Sequence, residues 1–201
     1  MRPHDLLRLS SVAAVTDAGA PAWVAAALLR APFVVVRRDK PRDGWVPVGI
    51  RGESRAERHA AWIRHSDVAL IITPESLADS CCWRSHRRRA MPAFAALDAI
   101  ASAAAAHDLA WGPAGSVAFE LASGVAVVHE DSDIDLVVRP TPSHSRDDLA
   151  AFGQSIVGML VRVDVAIEDH LGSVALAEWL RSPDRVLIKA DSGPRLGAFH
   201  W

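Results

Sequence analysis

The stretch from Gly115 to Val138, GSVAFELASGVAVVHEDSDIDLVV, decides the reading of this chain. Gly115-Ser116 ends a tight turn that starts at Gly112-Pro113-Ala114, and Val117 to Ala122 continues from it as a helix. Eighteen positions after the glycine, Asp133-Ile134-Asp135 runs into the apolar strand Leu136-Val137-Val138. Side chains at i and i+2 of a strand share a face, so Asp133 and Asp135 are predicted side by side. Like charges held that close repel. A divalent cation is the usual compensation, and Mg²⁺ favours one or two carboxylates plus substrate phosphates. Helix-start N–H groups and a hydroxyl, as at Gly115-Ser116, suit phosphate oxygens, and glycine lets a ligand approach the backbone. The pattern asks for a metal and a polyphosphate.

A third carboxylate follows from alternation. Val161 to Ile167 is apolar at every odd position, which predicts a strand. Asp164 lies on the opposite face in mid-strand, where aspartate has poor propensity. With this strand beside Ile134 to Val138, Asp133, Asp135 and Asp164 converge. Two metals about 3.5–4 Å apart can then activate attacking and leaving oxygens. Asp131 to Asp135 also imitates an EF-hand opening, but that loop needs glycine at position six and glutamate at twelve. Leu136 and Pro142 stand there, so that reading fails. An acidic, solvated turn explains residues 131–135 equally well taken alone; Gly115-Ser116 and Asp164 favour the metal site. Lys189 and Arg195 flank Asp191-Ser192-Gly193-Pro194 and can reach phosphate, a reading that stands level with a plain turn bearing charged flanks.

At 201 residues, the chain has room for one domain or two small ones. Half the residues are hydrophobic and 23% are charged, enough apolar surface for a core and against disorder. The net charge of −2 gives no reason to expect nucleic-acid binding. Cys81 and Cys82 are the only cysteines, and neighbours are badly placed for an unstrained disulfide. A reducing, cytoplasmic setting is expected. Met1 to Arg8 resembles a signal peptide superficially, but Asp5 and Arg8 interrupt it. No segment offers the roughly 18 uninterrupted apolar residues of a membrane span.

Two α/β units are predicted, divided near residue 90, giving domains 1–90 and 91–201. In the first, Pro21 to Arg30 reads as helix, and Phe33 to Val36 and Val46 to Ile50 as strands. Ser54-Arg55-Ala56-Glu57 matches a capping box and predicts a helix to about His65. Val68 to Ile72 is expected as a buried strand, and Thr73-Pro74-Glu75 as a capped helix start. In the second, Ala93 to His107 is helical by propensity, Leu109 to Trp111 is a strand, and Val125–Val128 and Ile134–Val138 form a hairpin. Arg146 to Leu160 and Val174 to Arg181 are helices, and Arg185 to Ala190 a last strand. Arg84 to Arg89 is a solvated surface or a contact for an acidic partner. The nine histidines form no HExxH motif.

The glycine-serine turn, Asp-x-Asp and later strand aspartate resemble the polymerase β-type nucleotidyltransferase superfamily. A wider set of motifs is similar to the MdcG family: Met1-Arg2-Pro3-His4-Asp5-Leu6-Leu7, Val48-Gly49-Ile50-Arg51-Gly52, Arg55-Ala56-Glu57-Arg58, Thr73-Pro74-Glu75, Gly115-Ser116, Ser132-Asp133-Ile134-Asp135-Leu136 and Gly193-Pro194-Arg195-Leu196. The resemblance covers nearly the whole chain. It implies a small N-terminal α/β domain and a nucleotidyltransferase-like C-terminal domain with a mixed sheet flanked by helices, an α/β (α+β) fold.

The implied reaction moves phosphoribosyl-dephospho-CoA from 2′-(5″-triphosphoribosyl)-3′-dephospho-CoA to a serine of the apo acyl-carrier subunit of malonate decarboxylase, with pyrophosphate leaving. Asp133 and Asp135 map onto the family's catalytic aspartates, Asp164 onto the superfamily's third carboxylate, and two Mg²⁺ ions are expected. Gly115 and Ser116, with Lys189, would bind substrate phosphate. An ATP-dependent adenylylating enzyme and a non-catalytic, phosphate-sensing adaptor remain as alternatives. No nucleic-acid or membrane partner is expected.

Overall fold

The computed structural model describes residues 1–15, 19–54 and 56–201. Two sheets divide the chain. The first is antiparallel, in the order β4-β3-β2-β1-β5, with β1 Leu6–Leu9, β2 Phe33–Val36, β3 Trp45–Arg51, β4 Arg58–Arg64 and β5 Val68–Ile72. One face buries Leu7, Val34, Val48 and Ile63 against Val24 and Leu28 of helix α1 (Ala22–Arg30). The second sheet is mixed, in the order β11-β10-β9-β8-β7-β6: β6 Ala110–Pro113, β7 Ile134–Arg139, β8 Val163–Glu168, β9 Ser173–Ala175, β10 Val186–Ala190 and β11 Gly193–Gly197. Only β7 and β8 run parallel, joined through helix α6 (Arg146–Ser155). Helices α2 (Pro74–Ser80), α3 (Pro92–Ala95), α4 (Leu97–Ala105), α5 (Gly115–Ser123) and α7 (Leu176–Arg181) complete the chain. The α+β architecture with a helix-flanked mixed sheet is the expected one.

Alternation sorts the second sheet by face. Ile134, Leu136, Val138, Val165, Ile167, Val186 and Ile188 enter a core with Phe94, Leu97, Ile100, Leu149 and Phe152 from the helices. Ala78 and Trp83 already belong to that core. The opposite face, carrying Asp135, Val137 and Arg139 from β7 and Asp164, Ala166 and Glu168 from β8, looks toward the N-terminal unit.

Several sequence expectations need correction. Residues 58–64 form strand β4, not helix. Ser54 and Glu57 do make the local contact of a capping box, Ser54 N–H donating to Glu57 Oε2 at 2.9 Å, but Gly52 N–H also donates to the Glu57 carbonyl at 2.9 Å. The motif thereby closes a β3–β4 hairpin, and Ala61 and Ile63 alternate into the core. Arg55 of that motif lies outside the described residues. Val125 to Val128 is not a strand. The Val127 and Val128 N–H groups donate to the Glu120 carboxylate, each at 2.8 Å, so a ladder partner is replaced by a buried side chain. Arg88 completes that arrangement with two bonds of 2.9 and 3.0 Å to Glu120. Strand β5 is an edge, with Leu70 and Ile71 exposed rather than buried. The alanine-rich helix divides at Ala96, and Ser173–Ala175 is a strand ahead of α7. Strands β1 and β11 were not foreseen. The Thr73 cap is as expected, its Oγ1 accepting from Ser76 N–H at 3.1 Å.

The two units are held by an apolar contact and an ionic one. Leu6 and Phe33 of the first sheet pack with Leu77, Ala118 and Phe119, the Phe33 and Phe119 rings meeting edge-on at 6.5 Å. Each buried phenylalanine contributes about 1.5–3 kcal/mol. Helix α5 is therefore clamped from both sides, with Val117 in the C-terminal core. In the ionic contact, Arg139 bonds Glu75, Glu168 (2.5 Å) and the Pro3 carbonyl (3.1 Å). Arg38 also bonds Glu168, and Arg2 reaches both Glu75 oxygens at 3.1 Å.

His4 lies inside this network with φ +72°, its N–H donating to the Val36 carbonyl at 3.0 Å. Burial, then the charges of Arg38, Arg139 and Lys189, lowers its pKa to about 4, although Glu168 lies 3.9 Å away. The unfolded chain takes up that proton near the ordinary value of about 6.5, so the unfolded state binds more protons between the two values. Stability is therefore expected to fall as pH drops from about 6.5 toward 4. The ring is 36% exposed, so solvent damps the effect. Denaturation midpoints across this range should drop in the wild type and flatten in His4→Asn, whose side chain tolerates the left-handed backbone. An unchanged slope in the variant would remove His4 as the titrating group.

Candidate active site

Helix α5 begins at the edge of the open sheet face because Gly115 can adopt φ +58°. The Ala114 N–H donates to the Asp135 carbonyl at 2.8 Å, tying the turn to strand β7. A Cβ on Gly115 would collide with the Asp135 carboxylate. Glycine is required here twice, for its conformation and for the room it leaves. Ser116 follows, buried in the first turn, and no side chain caps the helix start. Gly112 makes a second close approach, since a Cβ there would strike the Pro74 backbone and push β6 away from α2.

Gly115→Ala is expected to lose at least 1–2 kcal/mol from the left-handed backbone alone, before the Asp135 clash is counted. Activity should fall further than stability, because the collision displaces Asp135 itself. Paired thermal unfolding and turnover would check this; wild-type activity in the variant would exclude the close packing as functional.

Parallel pairing sets Asp135 directly beside Asp164, in register. Asp133 lies just before the strand, close enough for its charge to act on Asp135. The Asp135 carboxyl is open to solvent yet surrounded by protein. Desolvation, followed by the negative charges of Asp133 and Asp164, raises its pKa above the ordinary aspartate value. Arg51 and Arg58 oppose the rise. Asp164 accepts from Arg162 at 3.0 and 3.1 Å, an exposed pair that gives way at little cost.

Those two arginines were missed by sequence reasoning. Arg51 of β3 and Arg58 of β4 are cross-strand partners. They share the face of Leu6 and Val35, which register pairing carries through Gly49 and which turns toward α5. Only the strand assignment of residues 58–64 brings them together; a helix there scatters them. The acidic trio is thus faced across the domain contact by a basic pair.

Among the described residues, no group of three or more His, Cys, Asp and Glu side chains is gathered as metal ligands. The donor set nevertheless fits Mg²⁺. Asp133 and Asp135 offer hard carboxylate oxygens, desolvation and then the Asp133 charge raising the Asp135 pKa, and Mg²⁺ completes its shell with phosphates and water. Lys189 stands apart from Gly115-Ser116, on β10 beyond β9, at the level of Glu168. Within the Arg84–Arg89 run, Arg84 pairs with Asp98, Arg88 with Glu120, and Arg87 donates to the Gly124 carbonyl at 3.4 Å, so three of its four arginines serve internal contacts.

Residues 2–74 match the phosphoribosyl-dephospho-CoA transferase MdcG N-terminal domain, and residues 82–198 its C-terminal domain. A phosphoribosyl-dephospho-CoA transferase of Pseudomonas syringae pv. tomato is 40% identical over 199 residues, 99% of this chain and 92% of the relative. One of Azotobacter vinelandii is 39% identical over 206 residues, covering 100% and 94%. One of Klebsiella pneumoniae is 36% identical over 200 residues, covering 100% and 96%. No solved structure matches the chain. Together, the two domain matches and the full-length relatives place this chain in the MdcG family of phosphoribosyl-dephospho-CoA transferases.

Proposed function

We propose that this chain transfers phosphoribosyl-dephospho-CoA from 2′-(5″-triphosphoribosyl)-3′-dephospho-CoA to a serine of the apo acyl-carrier subunit of malonate decarboxylase. The observation that carries the reading is the Asp135 carboxylate seated on Gly115 at a helix start, within a chain matched end to end by such transferases. The serine oxygen attacks the α-phosphorus of the donor. A new P–O bond forms, the bond between the α- and β-phosphates breaks, and pyrophosphate leaves. One of the paired carboxylates, Asp135 or Asp164, which stand side by side in register, accepts the serine proton.

The first-turn N–H groups at Ser116 and Val117 would hold phosphate oxygens, and Arg51 and Arg58 face the same space with charge that suits the leaving group. Asp133 and Asp135 would hold Mg²⁺, and a second ion would share Asp135 with Asp164. Bound Mg²⁺ supplies neutralisation of phosphate charge and acidifies a coordinated hydroxyl. No covalent enzyme nucleophile is required, since phosphoryl transfer rests on positioning and electrostatics.

The test combines purified protein, Mg²⁺ and the apo carrier with the triphosphoribosyl donor in one arm and ATP in a parallel arm. The expected result is a carrier mass increase equal to the phosphoribosyl-dephospho-CoA group, with one pyrophosphate per modified serine. An adenylyl mass increase from ATP instead, or no carrier modification, would reject the assignment.

A further inference from the structure

The open face of the second sheet continues well past the carboxylates. Register pairing carries it from Glu168 through Ser173 to Lys189 and Pro194. Leu187 and Leu196, cross-strand partners one step along, share it and are exposed. Above it stands the Arg38–Lys40 segment of the N-terminal unit, so the two enclose an open cleft of about 530 Å³. Lys40 and Lys189, the chain's only lysines, both line it. Arg38 is held in place by Glu168 and by Asp191 at 3.4 Å. Among the described residues neither ammonium lies in a salt bridge. Burial is the main cause of the low His4 pKa, and the charges of Arg38, Arg139 and Lys189 add to it; Asp39 and Asp191 also line the cleft.

Distance relates this cleft to the reaction centre. Asp164 and Glu168 are four residues apart on β8, and β10 lies two strands away, so Lys189 is about 16 Å from Asp164 at ordinary strand spacings. That is too far for one triphosphate to span. In the donor, two riboses separate the transferring phosphate from the diphosphate of the dephospho-CoA moiety. Beyond the diphosphate runs the long, weakly polar pantetheine arm.

On the proposed reading of function, we infer that this cleft is the dephospho-CoA subsite. Lys40 and Lys189 bind the diphosphate, and Leu187 and Pro194 contact the pantetheine arm. Lys189 thereby recognises the retained part of the donor, not the leaving pyrophosphate. The N-terminal unit contributes half of the subsite, through Lys40.

Calorimetric titration of the full chain with dephospho-CoA tests this without requiring turnover. Wild-type protein is expected to bind, Lys40→Ala and Lys189→Ala each to weaken binding about tenfold, and Asp135→Asn to leave it within about twofold of wild type. ADP, which lacks the arm, is expected to bind more weakly, and Leu187→Ser to narrow that difference. In turnover, the lysine variants should raise KM for the donor and largely keep kcat. Wild-type dephospho-CoA affinity in the double lysine variant, or no binding by the wild type, overturns the subsite. Intact, lysine-dependent binding without carrier modification upholds the subsite while rejecting the proposed function. Carrier modification with an unchanged KM in the double lysine variant does the reverse.

Discussion

Asp135→Asn is expected to reduce transfer by roughly 10²–10⁴-fold while leaving the protein equally or more stable. The activity loss follows from removing one of two carboxylates that would hold the metal, whose charge stabilisation is worth several kcal/mol, about tenfold per 1.4 kcal/mol. The stability gain follows from the site. Among the described residues no donor bonds the Asp135 carboxylate, while Asp133 and Asp164 press on it with like charge and burial opposes its ionisation. Asparagine removes the charge and keeps the shape. Opposite movement of turnover and unfolding midpoint is the signature of a residue kept for chemistry at the expense of the fold. Retained activity in the folded variant would remove Asp135 from the mechanism; clear destabilisation would show an unrecognised structural role.

The second large effect is expected at Arg139. Its guanidinium, 12% exposed, bonds Glu75, Glu168 and the Pro3 carbonyl, joining the far end of β7 to both units. Glu168 is 3% exposed, and burial pushes its carboxyl pKa upward against the pull of Arg139 and Arg38. Arg139→Ala leaves that carboxylate with Arg38 alone, and breaking a buried pair costs about 3–5 kcal/mol. That is a large share of the 5–15 kcal/mol available to a domain. Arg139→Lys should recover only part of it, because an ammonium cannot reproduce the planar fork. Urea unfolding provides the measurement, and a loss below about 1 kcal/mol for alanine would mean the network is relaxed by water. Transfer activity should fall along with stability, since the same contact holds the N-terminal face over Asp135.

Much of the site was legible because its signals are local. Asp133 and Asp135 are two residues apart, alternation alone oriented Asp164, and the glycine-serine turn carries its conformational requirement in its own residues. The helix predicted over residues 54–65 failed for a complementary reason. Ser54 and Glu57 satisfy the same local bonds in a hairpin turn as in a helix start, and only the burial of Ala61 and Ile63 against α1 and its sheet chooses between them. Val125 to Val128 failed similarly, because Glu120, distant in the strand pattern, takes its N–H groups.

Periodicity and spacing by themselves determined the succession of helices and strands over most of the chain, the shared face of Asp133 and Asp135, the orientation of Asp164 on its strand, and the turn that opens α5. Those features depend on backbone geometry over a few residues, which the local order of side chains dictates. The mixed second sheet and the third-carboxylate role of Asp164 came instead from the family resemblance. Tertiary structure alone decided that Arg58 meets Arg51, that this pair faces Asp135, that Lys189 stands a cleft away from Gly115, and that Arg139 bridges the two units. Each of these joins residues distant in the chain through sheet register and domain packing. Such contacts are selected by which faces can be buried together, a property of the whole fold that no single segment carries.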